Sequence, residues 1–324
     1  MTIRSRLCAA LIAAFSIGAL PAHATTPYPT KPVKLIVPFS PGGASDTMAR
    51  IIAERLAVNL GQPVIVDNKP GAGTMIASEA VAKSAPDGYT LGLAASSLTI
   101  NPALYPKVPF DTVKDFAPVI LVSSLVHVLV VRQDMPVKSV ADLIKLAKSK
   151  PNGLNYGSVG NGTSTHLEME LFKSMSGTEM THIPYKGSAP ALTDMMGGQL
   201  QVMFDAAASS MPHVKSGKLR ALAVTSAKRS TLLPDLPTVA ESGLPGYEAM
   251  PWLGILAPAG TSPEIVNRLN AEVTKVLAQP EVKEKFAGLG LEIIGGTPKQ
   301  FADFIKADLV KWAKVVKDSG AKVD

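Results

Sequence analysis

Short runs of β-branched and other apolar residues alternate in this chain with stretches whose apolar residues recur every three or four positions. No other feature narrows the fold as much. Strand–helix–strand alternation joins parallel neighbours in a sheet that helices cover on both faces. Val33 to Val37 reads as a buried strand, and a Pro41-Gly42-Gly43 turn follows it. Met48, Ile51, Ile52, Leu56 and Leu60 then mark one face of a helix that Gly61 stops. Val64 to Val66 reads as the next strand and residues 68–73 as a loop. Ile76, Ala80 and Val81 mark a second helix, and Tyr89 to Ala95 a third strand. A mostly parallel sheet is expected from this half of the chain.

A second strand–helix series follows. Val119 to Val122 and Val126 to Val131 are nearly continuous apolar runs, the signature of buried strands. Asp142 to Ala147 reads as a helix capped by Ser139. Leu154 to Tyr156 leads through a glycine-rich turn into a helix with Leu167, Leu171 and Met175 on one face. Strand-like runs recur at His182 to Pro184, Gln201 to Phe204, Leu219 to Val224 and Trp252 to Ala257. Beyond Pro263 the pattern is helical except for Leu291 to Ile294. Two α/β lobes joined by two crossovers are expected, with the crossings near 124–130 and 248–254 and the C-terminal helices returning to the first lobe. Residues 25–127 plus 253–324 then form lobe one, and 128–252 lobe two. A single doubly wound sheet with an appendage is the alternative.

The first 24 residues are read separately. Arg4 and Arg6, the apolar run Leu7 to Leu20 and the small-x-small site Ala22-His23-Ala24 have the layout of a secretory signal peptide, too short to span a membrane. Cleavage after Ala24 is expected, which places the mature chain in the periplasm. The only cysteine, Cys8, lies in that leader. The mature chain therefore has no disulfide, no thiol nucleophile and no cysteine-based zinc site. Losing the leader also removes two arginines, so the net charge falls from +6 to +4. There is no dense basic run with interleaved aromatics, so nucleic acid is not an expected partner. A mild positive field suits small anions. No later segment reaches 18 unbroken apolar residues, so a soluble mature protein is expected.

Two glycine-rich turns lead from strands into helices. Pro41-Gly42-Gly43 precedes one, with Ser45 or Asp46 as its cap; residues 157–162 (Gly-Ser-Val-Gly-Asn-Gly) precede the other, with Thr163, Ser164 or Thr165 as its cap. A helix start leaves backbone N–H groups without internal partners, and its dipole favours negative charge. Glycine lets a ligand approach the main chain, and the hydroxyls of Ser158, Thr163 and Thr165 add donors. One such turn falls in each lobe, so the two could grip the ends of a small dianion across a cleft with little help from arginine or lysine. Ser96 and Ser97, at the end of the third strand, could face the same cleft. Asp205 follows an apolar strand, and is either a helix cap or an acceptor for a ligand hydroxyl or ammonium. Tyr185 and Trp252 could be cleft walls or core.

Competing motifs are incomplete. Gly71-Ala72-Gly73 lacks the third glycine of a dinucleotide fingerprint, and Gly217-Lys218 is followed by Leu219 rather than a hydroxyl residue. Ser158 has Tyr156, not glycine, two places before it, so it is no nucleophile elbow. The mature histidines show no metal-ligand spacing. His166, in a helix's first turn, is read as neutral, either supporting the second turn or purely structural.

Several blocks together resemble one family. Y-P-T-K-P-V-K-L-I-V-P-F-S-P-G-G-A-S-D at 28–46, G-Q-P-V-I-V-D-N-K-P-G-A-G at 61–73 and A-P-D-G-Y-T-L at 85–91 resemble the Bug-type, TctC-like extracytoplasmic solute receptors. Y-G-S-V-G-N-G-T-S-T-H-L at 156–167, Y-K-G at 185–187 and G-K-L-R-A-L-A-V-T-S at 217–226 continue the match in order. The resemblance covers essentially the whole mature chain. It implies a type II periplasmic binding protein that delivers small carboxylates, such as citrate-like acids, acidic amino acids, aromatic carboxylates or nicotinate-like compounds, to a tripartite tricarboxylate transporter. It implies that the strand–helix turns hold the ligand carboxylate through main chain and ordered water. By position it points to Phe39, Ser40, Gly42, Gly43 and Asp46 in lobe one, and to Ser158, Asn161, Gly162, Thr163 and Thr165 in lobe two. Asp46 would act through its backbone or as a cap, since a free carboxylate would repel the ligand; Ser40 would add a donor. Ser97 and Asp205 complete the candidate site.

The expected activity is binding, not catalysis, with no cofactor and no metal. Permease subunits are the expected partners, and a monomer is expected. A sensory receptor of the same fold, docking on a sensor kinase, is the alternative function. A secreted hydrolase would need a nucleophile, base and orienting acid together, which no motif supplies.

Overall fold

The computed structural model describes residues 28–185 and 187–321; the expected leader lies outside these residues. The first strands and helices fall where the apolar periods place them: β1 (Val33–Val37), α1 (Ala44–Leu60), β2 (Val64–Asn68), α2 (Met75–Ala82) and β3 (Thr90–Ala95). A short helix α3 (Ser97–Leu104) follows, and then β4 (Phe116–Leu125). The chain continues with β5 (His127–Arg132), α4 (Val140–Ser149), β6 (Asn155–Ser158), α5 (Ser164–Ser176) and β7 (Thr181–Pro184). Next come α6 (Ser188–Met196), β8 (Val202–Ala206), α7 (Ala207–Lys215) and β9 (Leu219–Val224). The last elements are β10 (Trp252–Pro258), α8 (Pro263–Ala278), α9 (Pro280–Gly288), β11 (Leu291–Ile293) and α10 (Pro298–Ser319).

The strands form two sheets, one per lobe, in the orders β11-β4-β10-β3-β1-β2 and β7-β6-β8-β5-β9. The chain passes from the first sheet to the second between Leu125 and His127, and returns between Val224 and Trp252. The continuous apolar run from 119 to 131 is therefore two strands of different sheets, split at Val126. The sheets are mixed rather than mostly parallel. β1 runs parallel to β2 and β3, but β10 inserts antiparallel between β3 and β4, and β5 inserts antiparallel between β8 and β9. Each inserted strand is the first after a crossing, and β11 at the sheet edge also runs antiparallel to β4. The chain enters each lobe from the cleft side, opposite in direction to strands whose carboxyl ends point at the cleft.

Helices close both faces of each sheet. In lobe one, α1 and α8 bury Met48, Ile52, Leu56, Leu269, Val273 and Val276 against the strands. In lobe two, Leu167, Met169 and Phe172 of α5 pack with Leu129, Tyr156 and Phe204. Ser139 caps α4 by accepting from the backbone N–H of Asp142, as its position predicts. α10 departs from a simple return to lobe one. Its first half places Phe301 and Ile305 beside Trp252, whereas Trp312, Val315 and Val316 join the core of lobe two. At its middle, buried Asp308 accepts hydrogen bonds from Thr99 Oγ1 (2.6 Å) and Trp252 Nε1 (2.9 Å). α10 thus clamps the strand that returns through the second crossing.

Candidate functional site

Strands that end at a common edge deliver the helix starts after them to that edge. Here those edges face one another, and a cavity of about 290 Å³ lies between them. Its wall takes Ser45 from the start of α1, Thr74 from the start of α2 and Ser96 with Ser97 from the start of α3. From lobe two it takes Thr163, Ser164 and Thr165 at the start of α5, Ser188 at the start of α6 and Ala206 at the start of α7. Phe39, Leu125, Val159, Pro251, Trp252 and Leu253 supply apolar surface. Among the described residues no lysine or arginine lines the cavity, and the titratable lining residues are His127 and Asp205.

Of the residues singled out from the sequence, Phe39, Ser97, Asn161, Gly162, Thr163, Thr165 and Asp205 line the cavity. Ser40, Gly42, Gly43, Asp46 and Ser158 do not, and most of them shape the turns from behind. Asp46 is 2 % exposed and is not the cap of α1; that position is Gly43, with no side-chain cap bond. Its Oδ2 accepts from the Gly42 N–H and from Arg50 Nε, both at 2.9 Å, and its Oδ1 accepts from Asn68 Nδ2 at 2.8 Å. The same Asn68 amide donates to the Phe39 carbonyl at 2.9 Å. Burial pushes the Asp46 carboxyl up, but these donors outweigh it and hold the group at about 2. The carboxylate is consumed in fixing the turn, which leaves little of its charge for a ligand to meet. Gly42 has φ +92°, a left-handed conformation that a side chain would strain.

The second turn is tied by hydroxyls. Ser158, fully buried, donates to the Gly160 carbonyl at 3.1 Å and lies 2.7 Å from His182 Nε2. Thr163 Oγ1 donates to the same carbonyl at 2.7 Å and lies 3.1 Å from Thr165 Oγ1, which accepts from the Val159 N–H at 3.0 Å. His166 accepts from the Gly162 N–H through Nδ1 at 3.2 Å, so it is neutral and supports the turn. Its ring stacks on His182 at 4.1 Å, and His182 stacks on Tyr156 at 4.7 Å. Burial lowers the pKa of both histidines, that of His182 to about 3.

Asp205 closes the lobe-two end. It is not the cap of α7, which is Ala206. Its Oδ1 accepts from Ser188 Oγ at 2.5 Å and its Oδ2 from Ser210 Oγ at 2.6 Å, while burial raises its pKa. Trp252 is a wall and core at once: its backbone N–H donates to Ser96 Oγ at 2.8 Å. Tyr185 is not a lining residue, and its hydroxyl donates to Asp194 at 2.8 Å.

Sequence reasoning passed over Thr74, Ser188 and His127. Thr74 Oγ1 lies 2.6 Å from Ser97 Oγ. Thr74 and Ser188 follow Gly73 and Gly187 at further strand–glycine–helix junctions, the same signal that marks the two principal turns. His127 carries no local signal. Its Nδ1 lies 2.9 and 3.0 Å from the two carboxylate oxygens of Glu168, which is far away in sequence.

With this geometry in view, the comparisons with known proteins agree. Residues 48–321 match the tripartite tricarboxylate transporter family receptor. The protein BugT of Bordetella pertussis is 41% identical over 307 residues, 94% of each chain. An R. palustris protein solved with adipate superposes with a TM-score of 0.81 at 41% identity, covering 91% of this chain and 100% of that one. MatC from Rhodopseudomonas palustris with bound malate gives a TM-score of 0.77 at 33% identity, covering 89% of this chain and 100% of the other. Members of this family are solute-binding receptors rather than enzymes. The chain belongs to the TctC, or Bug, family of periplasmic solute-binding receptors.

Proposed function

We propose that this receptor captures a small carboxylate in the cleft between its lobes, holds it by helix N-termini, and hands it to the permease subunits of a tripartite tricarboxylate transporter. One observation carries the reading: α1, α2, α3, α5, α6 and α7 all begin at a single cavity that, among the described residues, no lysine or arginine lines. Each helix start presents unpaired N–H groups and about half a positive charge, so together they form an anion site without a fixed cation. The volume of about 290 Å³ suits a metabolite rather than a peptide. The adipate- and malate-bound relatives make those two acids the first to try.

In this reading Phe39, Ser97, Asn161, Gly162, Thr163 and Thr165 contact the acid. Ser40, Gly42, Gly43, Asp46 and Ser158 contribute by the shape of the turns. Asp205 accepts from a ligand hydroxyl or ammonium, or acts through Ser188. Lobe one (25–127 plus 253–324) and lobe two (128–252) close on the ligand as a hinge, with the second half of α10 seated on the core of lobe two, and binding shifts the open–closed balance by its differential affinity alone. Export through a cleaved leader at residues 1–24 places the monomeric receptor in the periplasm. The test is a thermal-shift screen of carboxylates on the purified mature chain. An acid at about 100 times its dissociation constant should add roughly 2.7 kcal/mol of stability. A broad panel, adipate and malate included, with no shift would overturn the reading.

A further inference from the structure

His127 is the first residue of β5, directly after the crossing from lobe one, and it lines the cavity at 5 % exposure. Its Nδ1 faces both oxygens of Glu168, a carboxylate on α5 with no solvent exposure. Among the described residues that carboxylate has no other hydrogen-bond partner, and the other ring nitrogen, Nε2, has none at all. A carboxylate sealed from water is costly unless a cation or several donors meet it. Among the described residues the ring is the one group placed to be that cation.

The surroundings of the ring agree. Glu168 faces it from α5 and Asp205 from β8, both acidic. Tyr247 donates its hydroxyl to the Glu168 carbonyl at 3.0 Å, and Thr225 donates its N–H to the His127 carbonyl at 3.1 Å. Ser188 and Ser210, on α6 and α7, are neutral, as is Trp252 of β10. Burial alone would drive the ring to neutrality, but Glu168 and then Asp205 outweigh it and raise its pKa. A charged ring is a donor at both nitrogens; a neutral ring whose N–H serves Glu168 would offer the cavity only a lone pair.

We propose that His127 is the cation of this cleft, a specificity-determining residue whose Nε2–H donates to a carboxylate oxygen of the bound acid, and that Glu168 is the positioning residue that fixes the ring and its charge. The inference rests on the carboxylate-receptor reading and adds a point charge to helix starts that have none among the described lining residues.

The test uses the mature chain, with adipate as probe, in wild-type, His127→Asn and Glu168→Gln forms. Ring-nitrogen NMR shifts of His127 are followed from pH 5 to 9 without ligand, and adipate affinity is measured by calorimetry across the same range. The wild-type ring should be charged at pH 7 and the Glu168→Gln ring neutral. Wild-type affinity should be flat between about pH 6.5 and 7.5, where adipate is a dianion, whereas Glu168→Gln should bind at least tenfold more weakly there, because burial without the counter-charge keeps its ring neutral. His127→Asn should bind at least tenfold more weakly at every pH. His182, with its pKa lowered to about 3, stays neutral over the window, and His166 accepts the Gly162 N–H through Nδ1, so neither ring supplies the charge assigned to His127. A neutral wild-type ring at pH 7, equal adipate affinity in wild type and Glu168→Gln at pH 7, or unchanged affinity in His127→Asn would each overturn the proposal. If Glu168→Gln does not fold, the wild-type titration and His127→Asn decide it. If no carboxylate stabilises the wild type at any pH, the receptor reading fails instead, and the ring titration still decides the charge on His127.

Discussion

Asp46→Asn tests whether the first turn is held by a buried charge. The substitution keeps size and shape, so its cost is electrostatic. The carboxylate sits at about 2 against an ordinary 3.8, and each unit of displacement is about 1.4 kcal/mol of preference for the charged form. The charge is therefore worth about 2 kcal/mol. Arg50, which supplies part of it, is half exposed, so solvent screening makes this an upper figure for that contact. The amide adds a second penalty, because its NH₂ must face one of the three donors now served by oxygen. A total loss of about 2–3 kcal/mol is expected at pH 7, or roughly 3–5 °C in melting temperature for a chain of this size. The sign with pH follows from the depressed pKa. The stabilisation is present above the unfolded value near 3.8 and is lost as pH falls through the folded value near 2. Urea denaturation of wild type and Asp46→Asn at pH 7, 5 and 3 should therefore show a gap that is constant between pH 7 and 5 and begins to narrow at pH 3. Carboxylate affinity should fall too, since Asn68 ties the Asp46 network to the carbonyl of Phe39 at the cavity wall. A variant as stable as wild type at pH 7, or a gap as wide at pH 3 as at pH 7, would refute the reasoning.

Three further outcomes follow from the turns. Gly42→Ala should cost about 1–2 kcal/mol by denaturant midpoint, all of it backbone strain, because nothing lies within 4 Å of the added methyl. No loss would mean that the turn has another conformation to use. Thr163→Ala removes the hydroxyl that donates to the Gly160 carbonyl, so it should cost about 1 kcal/mol of stability, the equivalent of one hydrogen bond, and weaken carboxylate binding about fivefold in calorimetry. Acid should destabilise the second turn through His182, whose folded pKa is depressed to about 3 by burial. Its contribution is complete above about 6.5 and is lost as pH falls toward 3, since only the unfolded chain takes up the proton. After a discount for partial exposure the loss is roughly 2–3 kcal/mol, and a melting-temperature profile from pH 7 to 4 should flatten in His182→Asn.

The order of elements was legible because apolar period and glycine punctuation are local properties. Val33 to Val37 followed by the 48, 52, 56 stripe can hardly be anything but a strand and a helix. The direction of β10 was not legible: Trp252 to Pro258 is uniformly buried and would read the same in a parallel or an antiparallel place. The same limit applies to α10. Its amphipathic stripe announces a buried face, but Phe301 and Trp312 are buried in different lobes, and no property of the stripe marks where one lobe ends. In the site, the turns were readable and the functions of their side chains were not. Serine and threonine at a helix start can cap the helix, brace the loop or face a ligand, and the hydroxyls of Ser158, Thr163 and Ser188 all brace, the first two on the Gly160 carbonyl and the third on Asp205, because of the neighbours the tertiary fold brings to them. The Glu168–His127 pair is the extreme case. Each residue alone is unremarkable, a helix glutamate and a strand histidine. Only the antiparallel insertion of β5 beneath α5 makes them a buried ion pair at the cavity wall. The charge that discriminates among ligands is thus written in long-range packing, while the anion-binding backbone is written in local punctuation. A receptor of this build can change its ligand by exchanging such a pair and leave every glycine turn untouched.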